Sequence, residues 1–128
     1  MQINFFDDPE KSPRSREDVR INQLGLYVYP DGRRLAVGFD ITPFIERPSI
    51  DVNLYNDRGE PAGSLTVIEA DETNFTLTMH LRDRSPTARY LLQAELYYQS
   101  PEQGRTAVDS YQTRFDMTQP GEQLLRQN

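Results

Sequence analysis

The chain reads as an all-β domain, a seven-stranded antiparallel sandwich of two sheets, on three observations. Over residues 19–117 apolar side chains recur with period two, clusters of Gly, Pro, Asn, Asp and Ser punctuate that pattern at short intervals, and almost no segment has helical period. Short alternating strands at such spacing bury one face each, and two stacked sheets satisfy all of them at once.

The first strand is expected over 19–29, with Leu24, Leu26 and Val28 on one face. Ile21 falls out of phase with them, which predicts a bulge near Asn22 and Gln23. Pro30-Asp31-Gly32 then turns the chain, proline presetting φ and glycine taking the left-handed position. The returning strand over 34–42 presents Leu35, Val37, Phe39 and Ile41 to the same face, and this hairpin places Tyr27 near Ala36, with Gly25 and Gly38 further along the same outward face. Pro43 and Pro48 bracket a crossing segment, because neither can donate to a central ladder.

A third strand over 49–56 points Ile50, Val52 and Leu54 inward, and Asp57-Arg58-Gly59-Glu60-Pro61 turns it into a fourth over 62–69 with Leu65 and Val67 inward. Residues 73–82 alternate strictly, with Phe75, Leu77, Met79 and Leu81 against Asn74, Thr76, Thr78 and His80. The sixth strand, over 89–99, carries Tyr90, Leu92, Ala94 and Leu96 inward with Tyr98 at its end. The seventh, over 105–117, has Ala107, Tyr111, Phe115 and Met117 in one phase. Residues 1–18 are rich in proline, serine and charge and read as a flexible lead. Residues 19–117 form the domain. Residues 118–128 open on Gln-Pro-Gly and read as a tail, since Leu124 and Leu125 are too few to hold a helix.

The stretch Pro86-Thr87-Ala88-Arg89-Tyr90-Leu91-Leu92 resembles the corner of fibronectin type III and immunoglobulin-like sandwiches. That resemblance implies the same fold and a structural role for Tyr90, whose hydroxyl would return to nearby backbone. The chain departs from those families in having no tryptophan, and from antibody-type domains in having no cysteine.

A chain of 128 residues fits one domain, and domains of this size bury roughly two thirds of the surface their unfolded chains expose. The absence of cysteine excludes disulfides, thiolate metal sites and cysteine nucleophiles. No run approaches a membrane span, and the start of the chain lacks signal-peptide character, so a cytoplasmic setting is the expectation. The net charge of −6 opposes a phosphate backbone and the arginines are scattered, which argues against nucleic acid. No membrane partner is expected either.

No catalytic, cofactor or metal residue is assigned. His80 is the single histidine and points outward by strand phase, so no Ser-His-Asp set can be assembled. A glycosidase pair needs facing carboxyls with one pKa raised, and most acids here sit in turns or on outward phases. Asp51, Asn53, Asn56, Asp57 and Glu60 are rich in oxygen, yet they divide between a strand face and a turn instead of converging as calcium requires. The glycines match no phosphate-binding pattern.

These exclusions leave a non-catalytic structural or protein-interaction module, with an accessory domain for carbohydrate or another small ligand as the alternative. The candidate interaction residues are Ile3, Phe5 and Phe6 in the lead and the outward tyrosines Tyr55 and Tyr97. The expected partner is an unknown protein, or a second copy engaged through the N-terminal segment or an open sheet edge. If the third and sixth strands are antiparallel neighbours, Tyr55 and Tyr97 lie at opposite ends of the pair and form no shared platform. Tyr27 is read as a cover for small strand residues, in preference to a ligand platform formed with Tyr29.

Overall fold

The computed structural model describes residues 12–127. A one-turn 3-10 helix (Arg16–Asp18) precedes eight strands: β1 (Ile21–Val28), β2 (Arg34–Ile41), β3 (Ser49–Asn56), β4 (Pro61–Val67), β5 (Asn74–His80), β6 (Arg89–Ser100), β7 (Gly104–Asp116) and β8 (Gly121–Gln127). They form two antiparallel four-stranded sheets, ordered β5-β2-β1-β8 and β4-β3-β6-β7, stacked as a sandwich. No helix among the described residues is long and apolar enough to cross a membrane.

The β1–β2 hairpin shows how local chemistry fixes register. Gly32 takes φ +69°, its N–H donates to the Tyr29 carbonyl at 3.1 Å, and Asp31 Oδ1 accepts the Arg33 and Arg34 N–H groups at 2.9 and 3.1 Å. The ladder then places Tyr27 opposite Ala36 and Gly25 opposite Gly38, and Asn22 is extra between the Ile21–Ile41 and Gln23–Asp40 pairs. That bulge brings Ile21 back into the core phase, where it is fully buried. Ala36 is fully buried although it belongs to the outward face, as expected where a tyrosine stands opposite a small residue.

The chain passes from one sheet to the other after β2, β4, β5 and β7. The inward phases of both sheets meet in one core, in which Leu26, Phe39, Ile50, Leu54, Tyr90 and Leu96 are almost wholly hidden. Each such side chain contributes on the order of 1.5 to 3 kcal/mol by leaving water.

Two findings change the expected layout. An eighth strand stands where a tail was expected: β8 adds to the open edge of β1, from the Gln23–Gln127 pair to the Val28–Gly121 pair. Edge pairing is made by backbone groups and needs no apolar pattern. A register shift between Leu24 and Gly25 also splits the two leucines, leaving Leu124 exposed while Leu125 packs against the core, so the strand lacks visible alternation. The second finding concerns β7. A shift opposite Leu96 and Tyr97 makes Val108 the extra residue, so Val108 packs against the core and Ala107 is exposed instead of sharing the phase of Tyr111, Phe115 and Met117.

Before β1, Arg14 pairs with the crossing segment: its N–H donates to the Pro43 carbonyl at 2.8 Å and its carbonyl accepts the Ile45 N–H at 3.0 Å. Arg16 ion-pairs with Glu46 at 2.7 Å.

Candidate functional site

The β3–β6–β7 ladder sets outward side chains in rows across the second sheet. Asp51, Glu95 and Ser110 make one row; Asn53, Gln93 and Gln112 make the next; Tyr55, Leu91 and Arg114 make a third. Neighbouring strands lie about 4.8 Å apart and alternate residues about 6.7 Å apart, so the rows form a lattice of closely spaced polar groups. The first two rows floor a shallow hollow of about 360 Å³.

Arg105 organises its edge. Its Nη1 donates to Asp51 Oδ2 at 2.7 Å, Nε donates to Glu95 Oε1 at 2.9 Å, and Nη2 also meets Glu95. The guanidinium lies over the Tyr97 ring at 3.7 Å. Burial works to raise the Asp51 carboxyl, but hydrogen bonds from Thr66, at 2.7 Å, and from Arg105 outweigh it and hold the group below the usual carboxylate range. The hydrogen bonds to Glu95 and Asp51 in turn raise the Arg105 guanidinium. Across the next row, Gln93 Nε2 donates to Gln112 Oε1 at 3.1 Å.

The structure separates the residues singled out in the sequence. Ile3, Phe5 and Phe6 lie outside the described residues. Tyr97 keeps its outward phase but is only 5% exposed, because the Arg105 guanidinium covers its ring. Tyr55 is half-buried at the other end of β3, paired with Leu91, whereas Tyr97 pairs with Ser49. With those pairs six positions apart along β3, the two tyrosines stand about 20 Å apart. His80 is exposed at the end of β5. The oxygen-rich group also divides: Asp51 faces the hollow, whereas Asn56 is buried and donates to Glu60 and Asp83. Among the described residues no three His, Asp or Glu side chains gather closely enough to hold a metal ion.

Sequence reading missed Gln93, Arg105 and Gln112. The outward phases of Gln93 and Gln112 were legible, whereas Arg105 shares the parity of Ala107 and Tyr111 and comes to the outer face only because the bulge at Val108 shifts the β6–β7 register.

A second polar site lies at the end of the sandwich. Tyr90 is buried; its hydroxyl donates to Asp83 Oδ2 at 3.0 Å and accepts the Thr87 N–H at 3.2 Å. Asn56 Nδ2 also donates to Asp83, at 3.3 Å, and Arg33 Nη1 stands 3.5 Å from its other oxygen. Burial pushes the Tyr90 hydroxyl up; the Thr87 N–H opposes that shift and Asp83 reinforces it. Toward the opposite end of β6, Tyr98 donates to the Glu46 carbonyl at 2.9 Å, and burial followed by the Glu46 charge pushes its hydroxyl up to about 12.

No protein-family model matches the chain, and no curated protein matches it in sequence. Its fold is similar to part of a glycosyl hydrolase family 2 member from Bacteroides cellulosilyticus DSM 14838, with a TM-score of 0.51 and 8% identity, covering 83% of this chain and 17% of that one. A β-glucuronidase from Ruminococcus gnavus in complex with D-glucaro 1,5-lactone aligns with a TM-score of 0.44 and 17% identity, covering 78% of this chain and 16% of the enzyme. The chain therefore spans about a sixth of the length of these neighbours. At such identity the first likeness shows the fold alone, a β-sandwich of the kind that occurs as one part of a much larger chain.

Proposed function

We propose that the chain is a non-catalytic β-sandwich module that works by presenting a surface to another molecule, as a structural or interaction domain. The observation that carries this reading is the state of its carboxylates. Among the described residues, the carboxylates whose surroundings move them, Glu17, Asp31, Glu46, Asp51, Glu60 and Asp116, all move down, each held by hydrogen-bond donors or an arginine. A hydrolytic general acid needs the opposite, a carboxyl kept protonated near neutrality. The Tyr90 corner supports the finer resemblance to fibronectin type III and immunoglobulin-like sandwiches, since its hydroxyl accepts a backbone N–H three residues before it.

The polar hollow on the second sheet favours the accessory-binding form of this reading, because amides and hydroxyls converge there on a concave surface. The test is turnover: purified chain with chromogenic glycosides and esters is expected to release no more chromophore than buffer. Turnover that disappears on replacing one of these carboxylates by its amide would overturn the reading.

A further inference from the structure

The hydrogen-bonding groups of the hollow identify what it can recognise. A side-chain amide carries two donor hydrogens and an acceptor oxygen. The Asn53, Gln93 and Gln112 row joins only Gln93 to Gln112, by one bond, and the Asn53 amide makes no side-chain hydrogen bond among the described residues. Several amide donors and acceptors therefore face the hollow. On one flank the Asp51 and Glu95 oxygens are fixed by Arg105 beside Ser110. On the other, Tyr55 and Leu91 offer the apolar surface of this face.

The charges select further. Three carboxylates, Asp51, Glu95 and Asp116, stand against three guanidiniums, Arg89, Arg105 and Arg114, so these rows carry no net charge with which to draw in an anion or a cation. Alternating donors and acceptors, electrical neutrality and one apolar flank complement a neutral polyhydroxylated chain, whose hydroxyls both donate and accept and whose ring faces are apolar.

We propose that the outer face of the β4-β3-β6-β7 sheet binds a neutral oligosaccharide, with the Asn53, Gln93 and Gln112 amides meeting its hydroxyls and Tyr55 with Leu91 meeting a ring face. The proposal rests on the reading of the chain as a non-catalytic binding module. Row spacing of about 6.7 Å along the strands lets successive sugar units address successive rows.

The test is a titration of the isotope-labelled full chain, followed by backbone amide resonances, with cellotetraose, xylotetraose, mannotetraose and maltotetraose, and with tetragalacturonate as the anionic control. At least one neutral sugar is expected to shift resonances of β3, β6 and β7 saturably, and tetragalacturonate is expected to bind more weakly. Gln93→Ala and Gln112→Ala should each weaken that sugar by about tenfold while leaving the melting temperature unchanged. Thr78→Ala, on the exposed face of the other sheet, should leave the affinity as it is. Failure of all four neutral sugars to shift these strands at about 10 mM, shifts confined to other surfaces, or affinity untouched by both glutamine variants would overturn the proposal. Shifts produced only by an added protein would do the same. In those cases the non-catalytic reading stands, because only turnover removes it.

Discussion

Arg33, Asp83 and Tyr90 meet at the end of the sandwich, and Arg105, Asp51 and Tyr97 meet on the outer face of the second sheet, yet the same three residue types do different work. At the end, the Asp83 side chain is 3% exposed and the tyrosine contributes its hydroxyl, a donor to Asp83 and an acceptor for Thr87. On the face, Asp51 is 22% and Arg105 40% exposed, and the tyrosine contributes chiefly its ring, as a floor beneath the guanidinium, its hydroxyl being the least of the groups that lower Asp51. A buried polar group left without its partner loses water and protein together, whereas an exposed one recovers water. The end site therefore holds the two sheets together, since Arg33 follows β1 of one sheet while Asn56 and Tyr90 belong to the other. The face site shapes a surface.

Asp83→Ala is expected to have the largest effect. It leaves the Tyr90 hydroxyl without its acceptor, takes one of two acceptors from the Asn56 amide and removes the carboxylate that faces Arg33, for a loss of about 2 to 4 kcal/mol in urea unfolding. A loss below about 1 kcal/mol would show that water replaces the carboxylate and that the end site is not dry. Tyr90→Phe keeps the ring stacked near Phe115, with centroids 6.2 Å apart, and deletes only the hydroxyl. About 1 to 3 kcal/mol should be lost. The double variant with Asp83→Ala should cost less than the sum, because both changes break one bond.

Arg105→Ala should destabilise by about 1 kcal/mol or less, since its ion pairs are open to solvent, and the loss should shrink as salt rises. Fluorescence quenching of Tyr97 by added iodide should increase as the ring is uncovered. A salt-independent loss as large as that of Tyr90→Phe would erase the distinction between the two sites.

The smallest effects are read by pH, and they run in opposite directions. The Tyr90 hydroxyl is raised by burial, so its contribution is whole below the ordinary phenol value of about 10 and is lost as pH rises through the folded value. Asp51 is lowered, so its contribution is whole above the ordinary carboxylate value of about 3.9 and fades as pH falls through the folded one. Wild type should lose stability at both extremes; Tyr90→Phe should make the alkaline limb shallower, with Tyr98 supplying the rest of it, and Asp51→Asn the acid limb, with the other lowered carboxylates supplying the rest. A pH profile in which either variant flattens the other limb would break the assignment.

What the amino-acid sequence determined by itself is whatever depends on neighbours along the chain. Period two fixed the inward faces, Asp31 with Gly32 fixed the first hairpin, and Pro86 to Leu92 marked the Tyr90 corner. The hydroxyl's second partner, Asp83, was not foreseen. Tertiary structure alone decided what depends on register between distant strands: the β1 edge that turned residues 121–127 into β8, the bulge that moved Val108 inward, and the placement of Arg105 over Tyr97 between Asp51 and Glu95. Side-chain phase is a local property of an extended backbone. Ladder register and edge pairing arise from backbone groups that every residue carries, so residue identities alone do not reveal which outward side chains will meet.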